Sequence, residues 1–230
     1  MTAVDVTRAD DFMADLRAAL AVWSRQPLLP ILSVIVWTLP AALPSTGLLV
    51  YLGLLWILFF IGWPGTEREW YRRAFANQEF SRAEIWRATR RFANPFLRLA
   101  LIATPLLFVV IFVLPFSGPD PAITVVVFVT LIFALDIVGT FVTPALSYTT
   151  TSAREAISIG WAMLRENWRA AMPYALTPAL VLVFGLRLLL VPVIGPGNSA
   201  LSTALAALIA LALKGATARF YLRRRPATLS

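Results

Sequence analysis

Long apolar stretches alternate with polar ones along the whole chain. Six are marked, at roughly 27–43, 47–63, 96–116, 123–147, 172–193 and 200–222. A helix that crosses a bilayer needs about 17–25 mostly apolar residues, so each stretch is long enough, the first two only just. Backbone groups in lipid must be satisfied within their own segment. That makes these stretches helices, since they are too long and too uniformly apolar for barrel strands. The predicted fold class is all-α: a polytopic membrane protein whose six transmembrane helices form three hairpins.

The polar segments between them are patterned too. In 152–169, Ala156, Ile157, Gly160, Trp161, Leu164 and Trp168 share one helical face, and Arg154, Ser158, Arg165, Glu166 and Arg169 share the other. In 67–77, Trp70, Tyr71, Ala74 and Phe75 oppose Arg68, Glu69, Arg72 and Arg73. In 82–93, Ile85, Trp86, Thr89 and Phe92 oppose Arg87, Arg90 and Arg91. Apolar faces with Trp and Phe beside Arg-rich faces are the composition of helices lying in the headgroup plane. A partner-docking surface is the sharper alternative. The acids in these segments are interleaved with Arg and read as solvated helix faces.

Composition fits this pattern. Of 230 residues, 59% are hydrophobic and only 14% charged, against about a quarter charged in a soluble domain. Mean hydropathy is +0.77. The distribution of charge adds an orientation. Nineteen of the twenty Lys and Arg fall in the amino-terminal segment, in the connections around 64–98 and 148–171, or at the carboxy-terminal end. The three alternate connections carry none, and are short and rich in Gly and Pro. By the positive-inside rule both termini are expected in the cytoplasm, in a bacterial inner membrane. The net charge of +8 then reads as attraction to anionic lipid headgroups and not as a nucleic-acid site. Asp5, Asp10, Asp11 and Asp15 are wrong for the n-region of a cleavable leader, so the first apolar stretch is expected to be retained.

A unit of about 72 residues recurs, with expected repeats 7–80, 81–151 and 152–222. Each opens on a capping-box pattern: Thr7-Arg8-Ala9-Asp10, Ser81-Arg82-Ala83-Glu84 and Ser152-Ala153-Arg154-Glu155. The same pattern also occurs at Thr66-Glu67-Arg68-Glu69 and Ser117-Gly118-Pro119-Asp120. Prolines recur in the first crossing of each unit.

With no Cys and no His, the chain lacks disulfides, thiolate nucleophiles, imidazole bases and the usual zinc ligands. No P-loop, Gly-x-Ser-x-Gly or His-based metal motif occurs. Catalytic residues, metal and cofactor are therefore expected to be none. Two charges fall inside crossings, Asp136 in the fourth and Arg187 in the fifth. Such charges usually face protein or water. Three readings are open: a structural pair, a functional polar site, or Arg187 reaching the interface alone. Thr140, Thr143 and Ser147 follow Asp136 at helical spacing, as a water-lined stripe or as hydroxyls bonding across helices. The sixth crossing carries Ser202, Ala206 and Ala210 at spacing four, for close packing in the monomer or for a homodimer seam. Lys214 is placed to reach the inner headgroups.

The run Leu55-Trp56-Ile57-Leu58-Phe59-Phe60, then Pro64-Gly65, Trp70-Tyr71-Arg72-Arg73-Ala74-Phe75 and Arg90-Arg91-Phe92-Ala93-Asn94-Pro95-Phe96 resembles bacterial six-helix membrane proteins of unknown function. It is also similar to the membrane domain attached to some glycerophosphodiester phosphodiesterases. That resemblance implies amphipathic cytoplasmic helices alternating with hairpins, and it carries over no catalytic residue. The expected function is non-enzymatic: an accessory, assembly or lipid-interacting membrane protein. Its expected contacts to headgroups or a membrane partner are Arg72, Arg73, Arg87, Arg90, Arg91, Arg165, Arg169, Arg223, Arg224 and Arg225. A small transporter or channel subunit built around Asp136 is the alternative.

Overall fold

The structure is a computed structural model and describes residues 7–42, 48–108, 130–131, 133–180 and 199–224. Regular structure among the described residues is α-helical throughout, which bears out the all-α expectation. The helices are α1 (Thr7–Arg25), α2 (Leu28–Ala42), α3 (Leu48–Phe75), α4 (Arg82–Phe108), α5 (Val142–Tyr148), α6 (Ala153–Glu166), α7 (Trp168–Leu180) and α8 (Ser199–Arg224). Segments 109–129 and 181–198, which hold the ends of the third and fifth expected crossings and the start of the fourth, lie outside the described residues.

Helix α8 is the axis of the molecule and packs along α1, α2 and α3; α4 lies against α3, and α6 against α5. Within α8, the stretch Thr203–Arg224 is long and apolar enough to cross a membrane. The pair Asp11–Arg25 and Leu28–Leu39 passes that test only together, across a bend of 97°. The bend has a local cause. Pro27 has no N–H to extend α1, and it disfavours helical geometry at Gln26 before it.

Helix α1 buries Phe12, Asp15, Ala19 and Val22, one face at helical spacing with a carboxylate in the middle. Helix α2 buries Leu29, Ser33 and Val36, while Leu28, Ile31 and Ile35 on its outer face are exposed.

Helix α3 runs unbroken through Pro64-Gly65 for 28 residues. The separate interfacial helix expected at 67–77 is therefore its buried end: Trp70, Tyr71 and Ala74 are buried, and so are Arg68 and Glu69. It stops at Asn77, whose φ is 54°. There Gln78 N–H donates to Arg73 O (2.9 Å) and Asn77 N–H to Ala74 O (3.1 Å), the two bonds of a Schellman ending.

Glycine sets the closest helix approaches. A Cβ on Gly62 would lie 2.1 Å from Thr89 O of α4, and one on Gly160 would lie 2.7 Å from Val142 N of α5. Both pairs pack backbone to backbone, which only the missing side chain permits.

The capping motifs differ in outcome. At Ser81 the box closes fully: Glu84 Oε2 accepts from the Ser81 N–H (3.0 Å) and hydroxyl (2.8 Å), and Ser81 Oγ accepts from Glu84 N–H (3.4 Å). At Ser152 the hydroxyl accepts from Glu155 N–H (3.5 Å), but the Glu155 carboxylate takes the Thr150 hydroxyl instead (2.5 Å). Thr66 lies in mid-helix, where its hydroxyl is paired with that of Thr89 (2.9 Å). The Thr7 side chain lies outside the described residues.

Candidate functional site

Glu67 and Arg68 stand back to back in α3 at the centre of the protein. Glu67 is fully buried. Its Oε2 accepts from Lys214 Nζ of α8 (2.6 Å) and its Oε1 from Trp37 Nε1 of α2 (3.0 Å). Lys214 also lies 4.5 Å from the centre of the Trp37 ring. The expected reach of Lys214 to headgroups is thereby corrected: its half-buried ammonium is drawn to the buried Glu67 carboxylate. Arg68 is 5% exposed. Its Nη2 donates to Thr143 Oγ1 of α5 (2.5 Å), and its carbonyl accepts from the Tyr148 hydroxyl (2.7 Å). Its Nε and Nη1 are enclosed and have no acceptor among the described residues. Burial pushes this guanidinium below its ordinary value, with the Tyr148 and Glu67 groups acting the other way. An arginine still keeps its proton at neutral pH.

A second ionic knot ties α1 to α7 and α8. Asp15 is fully buried. Its Oδ2 accepts from the Tyr174 hydroxyl (2.6 Å) and from Arg223 Nη2 (2.5 Å), and Arg219 Nε lies 3.5 Å from Oδ1. Burial raises the Asp15 carboxyl above its ordinary value, and the Tyr174 bond and the two arginines pull against that. A third cluster holds the α3–α4 junction. Glu69 pairs with Arg72 (2.5 Å) and Arg73 (3.1 Å), and Arg73 also reaches Glu84 (2.7 Å). For Glu69, burial alone would raise the carboxyl; the bonds from both arginines outweigh it and hold the group low. The acids at 15, 67 and 69 are thus not solvated, because each meets a cation from another turn or another helix.

The stripe below Asp136 does not form one continuous ladder. Pro144 removes the N–H that would bond to Thr140 O, and the chain turns at Thr140 and Phe141 between helical residues 133–139 and α5. The Thr140 hydroxyl donates to Asp136 O and the Ser147 hydroxyl to Thr143 O, each within its own segment (2.8 Å both). Only Thr143 reaches another helix, through Arg68. The Asp136 side chain is exposed, and Arg187, its partner in one of the three readings, lies outside the described residues.

The expected headgroup arginines divide in two. Arg72, Arg73 and Arg223 are engaged with carboxylates. Arg87, Arg90, Arg91, Arg165, Arg169 and Arg224 are exposed, and Arg225 lies outside the described residues. Arg90 lies 4.5 Å over the Trp86 ring and Arg169 5.7 Å over Trp168. Trp86, Trp161 and Trp168 are themselves about half exposed, at 48%, 51% and 56%. Trp86 and Trp161 were expected with the apolar faces; they instead project outward among the arginines. Trp168 does so too, because Asn167 ends α6 and Trp168 opens α7.

The chain matches no protein-family model, no curated protein and no solved structure. Function is therefore read from the geometry alone.

Proposed function

We propose that this chain is a non-enzymatic protein of the cytoplasmic membrane, crossing it six times with its arginines on the inner side, and that it engages anionic lipid headgroups through an arginine–tryptophan rim. The observation that carries the reading is the set of half-exposed tryptophans at positions 86, 161 and 168, with Arg90 stacked over the first and Arg169 over the last. Large aromatic surface next to cations is costly in water and favourable at the headgroup level. The outward aliphatic face of α2 (Leu28, Ile31, Ile35) and that of α4 (Leu97, Leu101, Ile102) support the same placement, since each suits hydrocarbon.

The test is tryptophan quenching in reconstituted bilayers that carry shallow-brominated lipid. Quenching should be stronger when the brominated lipid is anionic than when it is zwitterionic. That preference should shrink as salt rises from about 0.01 M to 1 M, where the screening length drops from about 30 Å to 3 Å. Equal quenching by both lipids at every salt concentration would sink the proposal.

A further inference from the structure

Between α4 and the segment joining α5 to α6 lies a cavity of about 330 Å³. Its walls include Arg91 and Pro95 of α4, Ser147 and Tyr148 of α5, and Thr150 and Thr151 of the linker. Two sources of positive charge lie at it. Arg91 is at the wall, its guanidinium 5.5 Å from the Phe92 ring, and no carboxylate of the described residues pairs with it. The nearby acids Glu69 and Glu84 are already held by Arg72 and Arg73. Arg68 lies behind the wall. Tyr148 bonds to its carbonyl, Ser147 bonds to the carbonyl of the Thr143 that holds its Nη2, and two of its nitrogens, Nε and Nη1, have no acceptor among the described residues. The start of α6 adds no free donor there: the Glu155 N–H is capped by Ser152 Oγ, and the Ser152 N–H donates to Thr150 Oγ1. The one opposing charge is Glu155, whose Oε2 accepts from the Thr150 hydroxyl (2.5 Å).

From this arrangement we infer that the cavity binds a phosphate group, with Arg91 as its direct ligand and Arg68 as the charge behind it. The inference rests on the membrane reading above and narrows it to one site. Pro95 and Ser147 stand at the inner ends of the third and fourth expected crossings, the depth at which lipid phosphates lie. The same chemistry would accept a free phosphate.

The experiment is native mass spectrometry of the detergent-purified full chain, titrated in turn with short-chain phosphatidylglycerol, short-chain phosphatidylcholine and inorganic phosphate. The wild type should hold one phospholipid, and Arg91→Gln should weaken that binding at least tenfold. Arg17→Gln, exposed on α1 and outside both the rim and the cavity, should bind as the wild type does. Millimolar inorganic phosphate that displaces the lipid would support the site and point to free phosphate; lack of displacement would support it as a lipid site. Unchanged binding in Arg91→Gln would overturn the inference, as would equal weakening in Arg17→Gln. Either result leaves the rim reading standing, because that reading is decided by the quenching measurement on bilayers. A melting curve for Arg91→Gln matching the wild type's excludes misfolding as the cause of lost binding.

Discussion

Removing the Glu67 carboxylate while leaving Lys214 strands a cation against α2 and α3. Glu67→Ala should therefore destabilise the protein by about 3–5 kcal/mol, read as a shift in detergent-solubilised unfolding. The double variant Glu67→Leu/Lys214→Met should recover much of that loss, because it removes both desolvated charges together. A double variant no better than Glu67→Ala would mean that packing, and not charge, is what Glu67 supplies. Glu84 gives a pH test. The Ser81 hydroxyl, the Ser81 N–H and Arg73 hold its carboxyl down to about 2. Its folded value is thus below the ordinary 4.5. The cap and pair contribute fully above pH 4.5 and are lost as pH falls through about 2. Carboxyl titration by NMR should find that low midpoint, and Ser81→Ala should move it upward; a midpoint that stays put would show the cap to be idle. Little of this pairing was legible in the sequence. The periodicity of α1 does put Asp15 on the same face as Phe12 and Ala19, a signal that was there to be read. Nothing local distinguishes Glu67 from Glu69, or says that the partner of Glu67 is 147 positions away.

Helix boundaries were better marked. The Gln26-Pro27 bend, the Ser81 cap and the stop at Asn77 follow from backbone rules that act within a few residues. The separation expected between the 47–63 crossing and the 67–77 helix is absent, because a proline in a tightly packed helix loses one bond without ending the helix, and α3 is packed against α4 and α8. At this scale the decisive contact is Gly62 on Thr89. Gly62→Ala puts a methyl group into a space already filled by the α4 backbone, so α3 and α4 must separate. The expected loss is about 1–3 kcal/mol, as for other overpacked sites. Gly139→Ala, where a Cβ meets nothing within 4 Å, is the matched control and should be close to neutral. Similar unfolding midpoints for the two variants would contradict the close crossing.

For the molecule as a whole, the orientation of the six expected crossings is open to a clean measurement, because the chain has no cysteine of its own. Single cysteines at Arg87 and Arg224 should react with an impermeant maleimide only after spheroplasts are opened, and those at Ser45 and Asn198 before. Labelling of Arg87→Cys in intact spheroplasts would reverse the topology. The knot that joins Asp15 to Arg223 spans 208 positions. A ribosome adding about 5–20 residues per second takes roughly 10–40 s to cover that interval. For that time α1 is a nascent segment with a naked carboxylate on its greasy side and nothing to shut against. The latch for the first helix is made last, so damage to α8 will be felt first as an unmoored α1.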